Sequence, residues 1–323
     1  MGNRYVAKKI VGALLTLFAV VIFNFFLFRI VDRDPLTKYR GRSKLSLEQR
    51  ETMIRRMGLS GSKWDQFVAY IKSTLQLDFG RSFDSTRPVL REITDRLPAT
   101  LILVGVSTVL TICIGLYIGA KAGWARGSRF DRVSTSTTMV LYATPEFFFG
   151  MLLLAIVAGR TGWFPTGGLR DVGTNNGFVA SLLDRAHHLV LPSLTLTLGY
   201  LGSYSLIMRT SMLDTLGEDY LTTARAKGLK ESDVMTHHAV PNALLPSVSA
   251  IAISFGFVIG GAITTETVFS YPGLGLATAD AIRNTDLPML QALFLVASAA
   301  VIFFNLVADL TYGLLDPRIR HSI

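Results

Sequence analysis

The segment "DYLTTARAKGLKESDVMTHHAVPNALLP", Asp219–Pro246, is mostly polar although it lies between two of the most apolar parts of the chain. Each flank, Leu189–Met208 and Val248–Phe269, is long enough to cross a lipid bilayer as a helix, which takes about 20 mostly apolar residues. A polar segment of this length between two such spans is expected to lie outside the membrane. What it contacts there bears on the function of the protein.

The chain as a whole is apolar. It has 323 residues, a mean hydropathy of +0.42, 50% hydrophobic residues and 17% charged residues, which is typical of a multi-span membrane protein. Four further apolar runs bring the number of predicted spans to six: Ile10–Phe28, Thr100–Ala120, Val133–Ala158 and Leu290–Tyr312. The sequence therefore predicts an all-α, polytopic membrane protein and disfavours a soluble enzyme.

Lysines and arginines near the span ends predict the orientation, because they concentrate on the inner side of a membrane. With both termini inside, the inner ends and loops carry most of these residues and the short outer loops carry few. The outer segment after the first span is also basic, but loops longer than about 60 residues largely escape this rule. We predict four regions along the chain: residues 1–30 (tail and first span), 31–99 (outer segment), 100–312 (five-span core with the inner loop 209–247) and 313–323 (inner tail).

Several kinds of chemistry find no support in the sequence. The net charge of +9 is dispersed over both sides, which fits topology and anionic lipid rather than nucleic acid. The single cysteine, Cys113, excludes an intrachain disulfide and a cysteine metal cluster. The adjacent pairs His187–His188 and His237–His238 point to different helix faces, and we find no H-E-x-x-H motif or carboxylate spacing beside them. We predict no catalytic residues and no metal site.

The outer segment contains signals for two short amphipathic helices. In "SLEQRETMIRRMG", Ser46–Gly58, the serine is a candidate N-cap and the final glycine a stop. In "SKWDQFVAYIKSTLQL", Ser62–Leu77, the apolar side chains have helical spacing: Trp64, Phe67, Val68, Ile71 and Leu75. Such helices could form a lid that rests on the membrane or meets an outer partner, or they could pack against the spans of the chain itself.

Two carboxylates occur where a membrane protein rarely places them. The third span contains "STSTTMVLYATPEFFFG", Ser134–Gly150, in which Thr144, Pro145 and Glu146 predict a kinked helix with a polar face. That face could line a water-filled path or bond to neighbouring helices. Glu266, near the outer end of the fifth span, could line an outer gate or bond the turn "SYPGLG".

The polar segment itself predicts two short helices at an angle. Glu218 and Asp219 precede Arg225 and Lys227, and Gly228 follows, which is the charge order and stop of a short helix. Ser232 and Asp233 are candidate caps of a second helix that ends at Pro241. Small residues keep the first helix slim: Thr222, Thr223, Ala224 and Ala226. The pair could dock into a cleft of a partner, or lie on lipid headgroups as an amphipathic hairpin.

This segment resembles the cytoplasmic "EAA" loop of permease subunits of bacterial ABC importers. That pattern has E-A-A, a glycine four residues after the second alanine and a proline thirteen residues after the glycine. Ala224, Gly228 and Pro241 match it, whereas Thr222 and Thr223 replace the glutamate and the first alanine. "TARAKGL" and "NALLP" are similar to the peptide-importing branch, in which the glutamate is commonly absent.

Further motifs extend the resemblance over most of the chain: "LDFGRS" (Leu77–Ser82), "RLPATL" (Arg96–Leu101), "TGWFPTGG" (Thr161–Gly168), "ETVFSYPGLG" (Glu266–Gly275) and "LLDPRIR" (Leu314–Arg320). In this order they resemble the dipeptide, oligopeptide and nickel permease family. The long outer segment after the first span is similar to that of the first, B-type, member of the family's two paired permeases.

The resemblance implies the fold of a type I ABC importer permease in the bacterial inner membrane. It implies a second permease as heterodimer partner, two ATPase domains and an extracytoplasmic binding protein; ATP and Mg²⁺ would bind the ATPase subunits, and this chain would be neither an enzyme nor the holder of a cofactor. The residues expected to couple to the ATPases are Asp219, Tyr220, Thr222, Thr223, Ala224, Ala226, Lys227, Gly228 and Pro241. Gly256, Gly260 and Gly261 form a small-residue face for the contact between the permeases.

The cargo and one rival class stay open at this point. Oligopeptides or dipeptides are the expected cargo, and nickel or glutathione are the alternatives within the family. A secondary transporter driven by ion coupling would need ionisable residues at mid-depth in its spans. Apart from Glu146 these regions lack them, which disfavours that class.

Overall fold

The computed structural model describes residues 3–31, 61–171, 173, 177–244, 247 and 262–315. The helices are α1 (Asn3–Val31), α2 (Lys63–Leu75), α3 (Val89–Trp124), α4 (Arg129–Ala143), α5 (Glu146–Leu153), α6 (Phe178–Thr215), α7 (Asp219–Ala226), α8 (Glu231–Asp233), α9 (Leu274–Asn284) and α10 (Leu287–Leu315). The described part also has a helical segment at 262–268 and no β-strand beyond an isolated bridge between Arg81 and Pro88. The prediction of an all-α protein is confirmed for these residues.

Among the described residues, four helices are long and apolar enough to cross a membrane: Arg4–Phe28, Val89–Trp124, Phe178–Thr215 and Leu287–Val307. A fifth span forms if Arg129–Ala143 and Glu146–Thr161 are taken together. These correspond to five of the six predicted spans. The remaining one, Val248–Phe269, lies largely outside the described residues, so the count of six stays a prediction. The chain is a multi-pass helical membrane protein.

The third predicted span breaks rather than kinks. Its two halves, α4 and α5, are bent by 97° relative to each other at Thr144–Pro145. Thr144 has an extended backbone, with φ −91° and ψ 128°, because the ring of a following proline disfavours the helical conformation. After the break, α5 continues into a π-helical turn, Leu154–Ala158, and ends with Gly159–Thr161.

The described residues fall into two compact units, Pro98–Leu276 with Phe304–Ile323, and Gly2–Leu97 with Ala277–Phe303. In the second unit α2 packs on α1, where the rings of Phe25 and Phe67 are 5.2 Å apart. A capping box formed by Ser62 and Asp65 begins α2. The predicted apolar stripe divides: Phe67 and Ile71 are half-buried, whereas Trp64, Val68 and Leu75 are exposed. The predicted helix in Ser46–Gly58 lies outside the described residues.

In the first unit, α3 and α6 approach each other along a seam of glycines. Three glycines recur at every fourth residue on one face of α3: Gly115, Gly119 and Gly123. A Cβ built on Gly119 would lie 2.8 Å from Cβ of Met208, and Gly115 and Gly123 oppose Tyr204 and Met212 in the same way. Side chains larger than hydrogen would therefore push the helices apart, as at other small-residue contacts in membranes.

Candidate functional site

The polar segment forms a corner of two helical pieces, as the sequence predicts. The first piece, α7, has Asp219 in its first turn and Arg225 in its last, which complements the helix dipole. Gly228 follows with a φ of +78°, a left-handed conformation that favours glycine and reverses the chain. The guanidinium of Arg225 donates to both oxygens of Glu231 across the corner, at 2.9 and 3.4 Å.

One face of the corner is buried against the chain itself. Leu221 is fully buried and Ala224 nearly so. They share an apolar cluster with residues of α3, α6 and the second helical piece: Ala120, Met208, Met212, Val234, Ala239 and Ala243. Of the predicted coupling residues, Ala224 thus contributes to this internal packing. Its methyl group holds the corner on the ends of α3 and α6, and does not face outward.

The opposite face of the corner is exposed. The predicted coupling residues on this face are Asp219, Tyr220, Thr222, Thr223, Ala226, Lys227 and Gly228. Partial burial, and then the negative charge of Glu218, raise the pKa of Tyr220. Leu229 adds an apolar side chain that is 41% exposed. The exposed face therefore carries both polar and apolar side chains, and those of Thr222, Thr223 and Ala226 are small.

The second helical piece differs from the prediction in both its start and its end. It begins at Glu231 with Lys230 at the N-cap position, and neither Ser232 nor Asp233 caps it. The prediction that it ends at Pro241 is wrong, because helical structure continues to residue 244. A π-helical turn, Val234–Ala239, precedes the proline, and the N–H of Val240 bonds to Met235 O, five residues back. In an α-helix each N–H bonds to the carbonyl four residues back, and an interior proline removes one such bond. The turn before Pro241 bonds five residues back instead. Pro241 itself is exposed.

An ion pair that the sequence did not reveal joins α4 to α6 beside the corner. The guanidinium of Arg209 donates to both oxygens of Asp131, at 2.6 and 3.1 Å. Asp131 is 3% exposed and also accepts from the N–H of Gly127 at 2.9 Å. The two residues are 78 positions apart, so no local spacing could have paired them. The pair fixes the first turn of α4 on the shaft of α6.

The predicted path residues lie at the break between α4 and α5. Glu146 is the first residue of α5, and its carboxylate accepts hydrogen bonds from the hydroxyls of Thr264 and Tyr200. Gly199 of α6 lies directly beside it, since a Cβ there would be 2.8 Å from Cβ of Glu146. The hydroxyl of Thr144 donates to Val140 O at 2.8 Å. The break thus brings polar groups of three helical segments together.

The side chain of Glu266 lies inside the protein, away from solvent. It is fully buried, and its carboxylate accepts from the Thr100 hydroxyl at 2.6 Å and from the N–H of Leu276 at 3.0 Å. The Thr100 oxygen in turn accepts from the N–H of Leu274 at 2.8 Å. A Cβ on Gly273 would overlap this carboxylate. Of the two alternatives for Glu266, the geometry favours bonding of the turn that follows it. Gly256, Gly260 and Gly261 lie outside the described residues.

Family models match nearly the whole chain. Residues 111–321 match the model described as "Binding-protein-dependent transport system inner membrane component". Residues 2–104 match the model of the N-terminal part of a binding-protein-dependent transport system membrane component. The corner at 219–244 and the break at 144–146 both lie in the first match.

Full-length relatives and a solved structure agree with these models. The chain is 33% identical to the oligopeptide transport system permease protein AppB of Bacillus subtilis over 98% of this chain and 99% of that protein. It is 35% identical to the glutathione transport system permease protein GsiC of Escherichia coli (strain K12) over 99% of each. It superposes on a chain of the MetNI methionine ABC transporter with a TM-score of 0.57 at 15% identity, covering 70% of this chain and 96% of that one.

Proposed function

The chain belongs to the family of binding-protein-dependent transport system inner membrane components, and from this membership we propose that it is a permease subunit of an ATP-driven importer of oligopeptides or dipeptides. The observation that carries the proposal is the full-length match to peptide and glutathione permeases. The corner formed by α7 and α8 supports it, because it presents an exposed face while its other face is packed on the membrane helices.

The proposed arrangement follows the permease subunits to which the chain is similar. A second permease would complete the translocation path, an extracytoplasmic protein would deliver the cargo, and two ATPase domains would drive transport, one of them bound to the exposed face of this chain's corner. ATP and Mg²⁺ would bind those domains, and this chain would carry out no hydrolysis. We place it in a bacterial inner membrane with six spans and both termini inside, as the lysine and arginine distribution predicts.

Contacts within the first unit supply a route by which movement of the corner would reach the spans. Leu221 packs in the same cluster as Met208 and Met212 of α6. The shaft of α6 is held to α3 by the glycine seam and to α4 by the Arg209–Asp131 pair. Closure of the ATPase domains would therefore move α6, α3 and the start of α4 as a block, and the path would change its accessible side.

The cargo class rests on the relatives. One relative is named for oligopeptide transport and another for glutathione, which is itself a small peptide. We propose small peptides as the class, with glutathione as the specific alternative to be tested beside them.

The proposal is tested by substrate-stimulated ATP hydrolysis and uptake in liposomes that contain the complete transporter. Two variants alter the exposed corner: Gly228→Pro, because proline cannot adopt a φ of +78°, and Ala226→Trp, which places bulk on the exposed face. Both should assemble in the membrane but lose most of the stimulated hydrolysis and uptake. Dipeptides, oligopeptides and glutathione, each supplied with its binding protein, are compared as cargo.

The matched control is Arg129→Trp, which adds the same side chain at another exposed position, the first residue of α4. It should keep uptake near the level of the native chain. Uptake by the native chain without any ATPase subunit would place the protein in a different transporter class. If both corner variants kept the stimulated ATP hydrolysis and the uptake of the native chain, the corner would have no role in coupling.

A further inference from the structure

The short helix α2 has an exposed apolar face. Trp64, Val68 and Leu75 are 69%, 49% and 81% exposed. Because an α-helix has 3.6 residues per turn, these three side chains lie within about 40° of one another around its axis. Phe67 and Tyr70 lie on another side of α2 and contact α1 instead. The apolar face is therefore separate from the side that packs on the protein.

Hydrogen bonds to two spans fix the depth of α2. The side-chain amide of Asn24 in α1 donates to the hydroxyl of Tyr70 at 3.1 Å and to Gln291 O of α10 at 3.0 Å. Asn24 comes four residues before Phe28, where the apolar span of α1 ends, and Gln291 comes four residues after Leu287, where that of α10 begins. Four helical residues rise about 6 Å. Thus α2 meets both spans about one helical turn inside their ends.

This depth is that of the boundary between lipid headgroups and acyl chains. Helices that lie in the membrane plane bury their apolar face about 5–10 Å into this boundary. The exposed side chains of Asp65 and Lys72 adjoin the apolar face of α2 on one side, which gives the helix a polar side for headgroups and water. The stem of Lys72 is long enough for its ammonium to reach lipid phosphates. Tryptophan, as at Trp64, is enriched at membrane–water interfaces.

We propose that α2 is an in-plane membrane helix and that lipid acyl chains cover Trp64, Val68 and Leu75. On the orientation proposed above, these chains belong to the outer leaflet. A soluble partner would approach from the water and would not reach a face that lies below the ends of the spans. The ring of Trp64 is 5.6 Å from that of Phe67, which in turn is 5.2 Å from that of Phe25. These aromatic contacts tie the lipid-facing side of α2 to α1, so the helix holds the end of this span at a fixed depth.

The test uses the fluorescence of Trp64 in liposomes that contain the full-length chain. The chain has three tryptophans, so Trp124→Phe and Trp163→Phe leave Trp64 as the reporter. Bromine on the acyl chains, either near the headgroup or near the terminal methyl, quenches a tryptophan within the membrane, and iodide quenches one from the water. We expect strong quenching by bromine near the headgroup, weaker quenching by bromine near the methyl end and little quenching by iodide.

The matched control places the tryptophan on the polar side of the same helix. Ala69 is exposed and lies about 140° around the axis from Trp64. In a chain that also carries Trp64→Phe, the Ala69→Trp variant should emit at longer wavelength and be quenched mainly by iodide. Equal quenching of the two reporters by iodide would overturn the proposal, because α2 would then face water. Protection of Trp64 from both quenchers would overturn it too, because protein would then cover the face.

Spin labels give a second measurement that involves no tryptophan. Val68→Cys and Ala69→Cys, at neighbouring exposed positions, are labelled in chains that carry Cys113→Ala. Oxygen, which concentrates in lipid, should relax the label more strongly at the Val68 position, and a water-soluble nickel chelate should relax it more strongly at the Ala69 position. The same ratio of the two effects at both positions would contradict the proposal. The result depends on neither the cargo nor the ATPase subunits, so it stands apart from the transport assay.

Discussion

Gly119 of α3 and Met208 of α6 are so close that a Cβ on the glycine would lie 2.8 Å from Cβ of the methionine. The same Cβ would overlap the carbonyl oxygen of Ser205, which is backbone and cannot rotate away. The contact therefore depends on the absence of a side chain, and it sets the distance between the two helices that carry the corner.

Replacing Gly119 by alanine should separate α3 from α6. We expect a loss of about 1–3 kcal/mol in the free energy of unfolding, the usual cost of overpacking. Gly105→Ala on the same helix is the control, because a Cβ there would meet no atom within 4 Å. Unfolding in mixed detergent measures both variants, and equal stability of the two would refute the close contact.

Leu221 should anchor the corner. Leu221→Ala removes a fully buried side chain and leaves a cavity, so it should lower the free energy of unfolding by about 2–5 kcal/mol. It should also reduce coupled ATP hydrolysis. Leu229→Ala, at a position 41% exposed, should cost far less. Thermal unfolding and hydrolysis are measured on the same preparations; a stable, fully coupled Leu221→Ala protein would show that the corner is not held by this cluster.

The Arg209–Asp131 pair should stabilise the fold through the geometry of its two hydrogen bonds as well as through its charges. Asp131→Asn leaves a guanidinium without its buried partner and should cost about 3 kcal/mol. Arg209→Lys keeps the charge but loses the two-pronged contact, and should also destabilise. The exposed pair Arg87–Asp95, with side chains about half exposed, is the control and should be worth less than about 1 kcal/mol. A double-mutant cycle for each pair gives the coupling energies; similar values would contradict the structure.

Glu266 and Thr100 should act as one unit. Glu266→Gln and Thr100→Val should each destabilise by about 1–3 kcal/mol, because each leaves a buried partner unsatisfied. The double variant should cost less than the two single costs added together. If Glu266 instead lines a gate, Glu266→Gln would change cargo preference and leave stability intact, so uptake of several peptides is compared with unfolding.

The apolar helices were the most predictable part of the fold. Twenty or so consecutive apolar residues have few alternatives to a span, and α1, α3, α6 and α10 all contain the predicted runs. A bend at Pro145 followed from the chemistry of one residue, although the prediction was a kink and the structure has a full break. Its angle of 97° was not predictable, because no local pattern brings Glu146 to Thr264, which lies 118 positions further along the chain.

The site was predictable where it depended on local spacing and not where it depended on long-range contacts. Gly228 correctly predicted the corner. Pro241 wrongly predicted the end of the second helical piece, because a π-helical turn precedes the proline and the helical structure continues past it. The Arg209–Asp131 pair joins residues that no short pattern connects.

The length of α6 has a mechanical consequence. Its 38 residues form a rod about 57 Å long, with His188 in one half and the contact of Met212 with the corner near the other end. A tilt of about 10° around the midpoint of such a rod would displace its two ends by about 5 Å in opposite directions, nearly the rise of one helical turn. A small push at the end that contacts the corner would therefore arrive at the opposite end with its sign reversed.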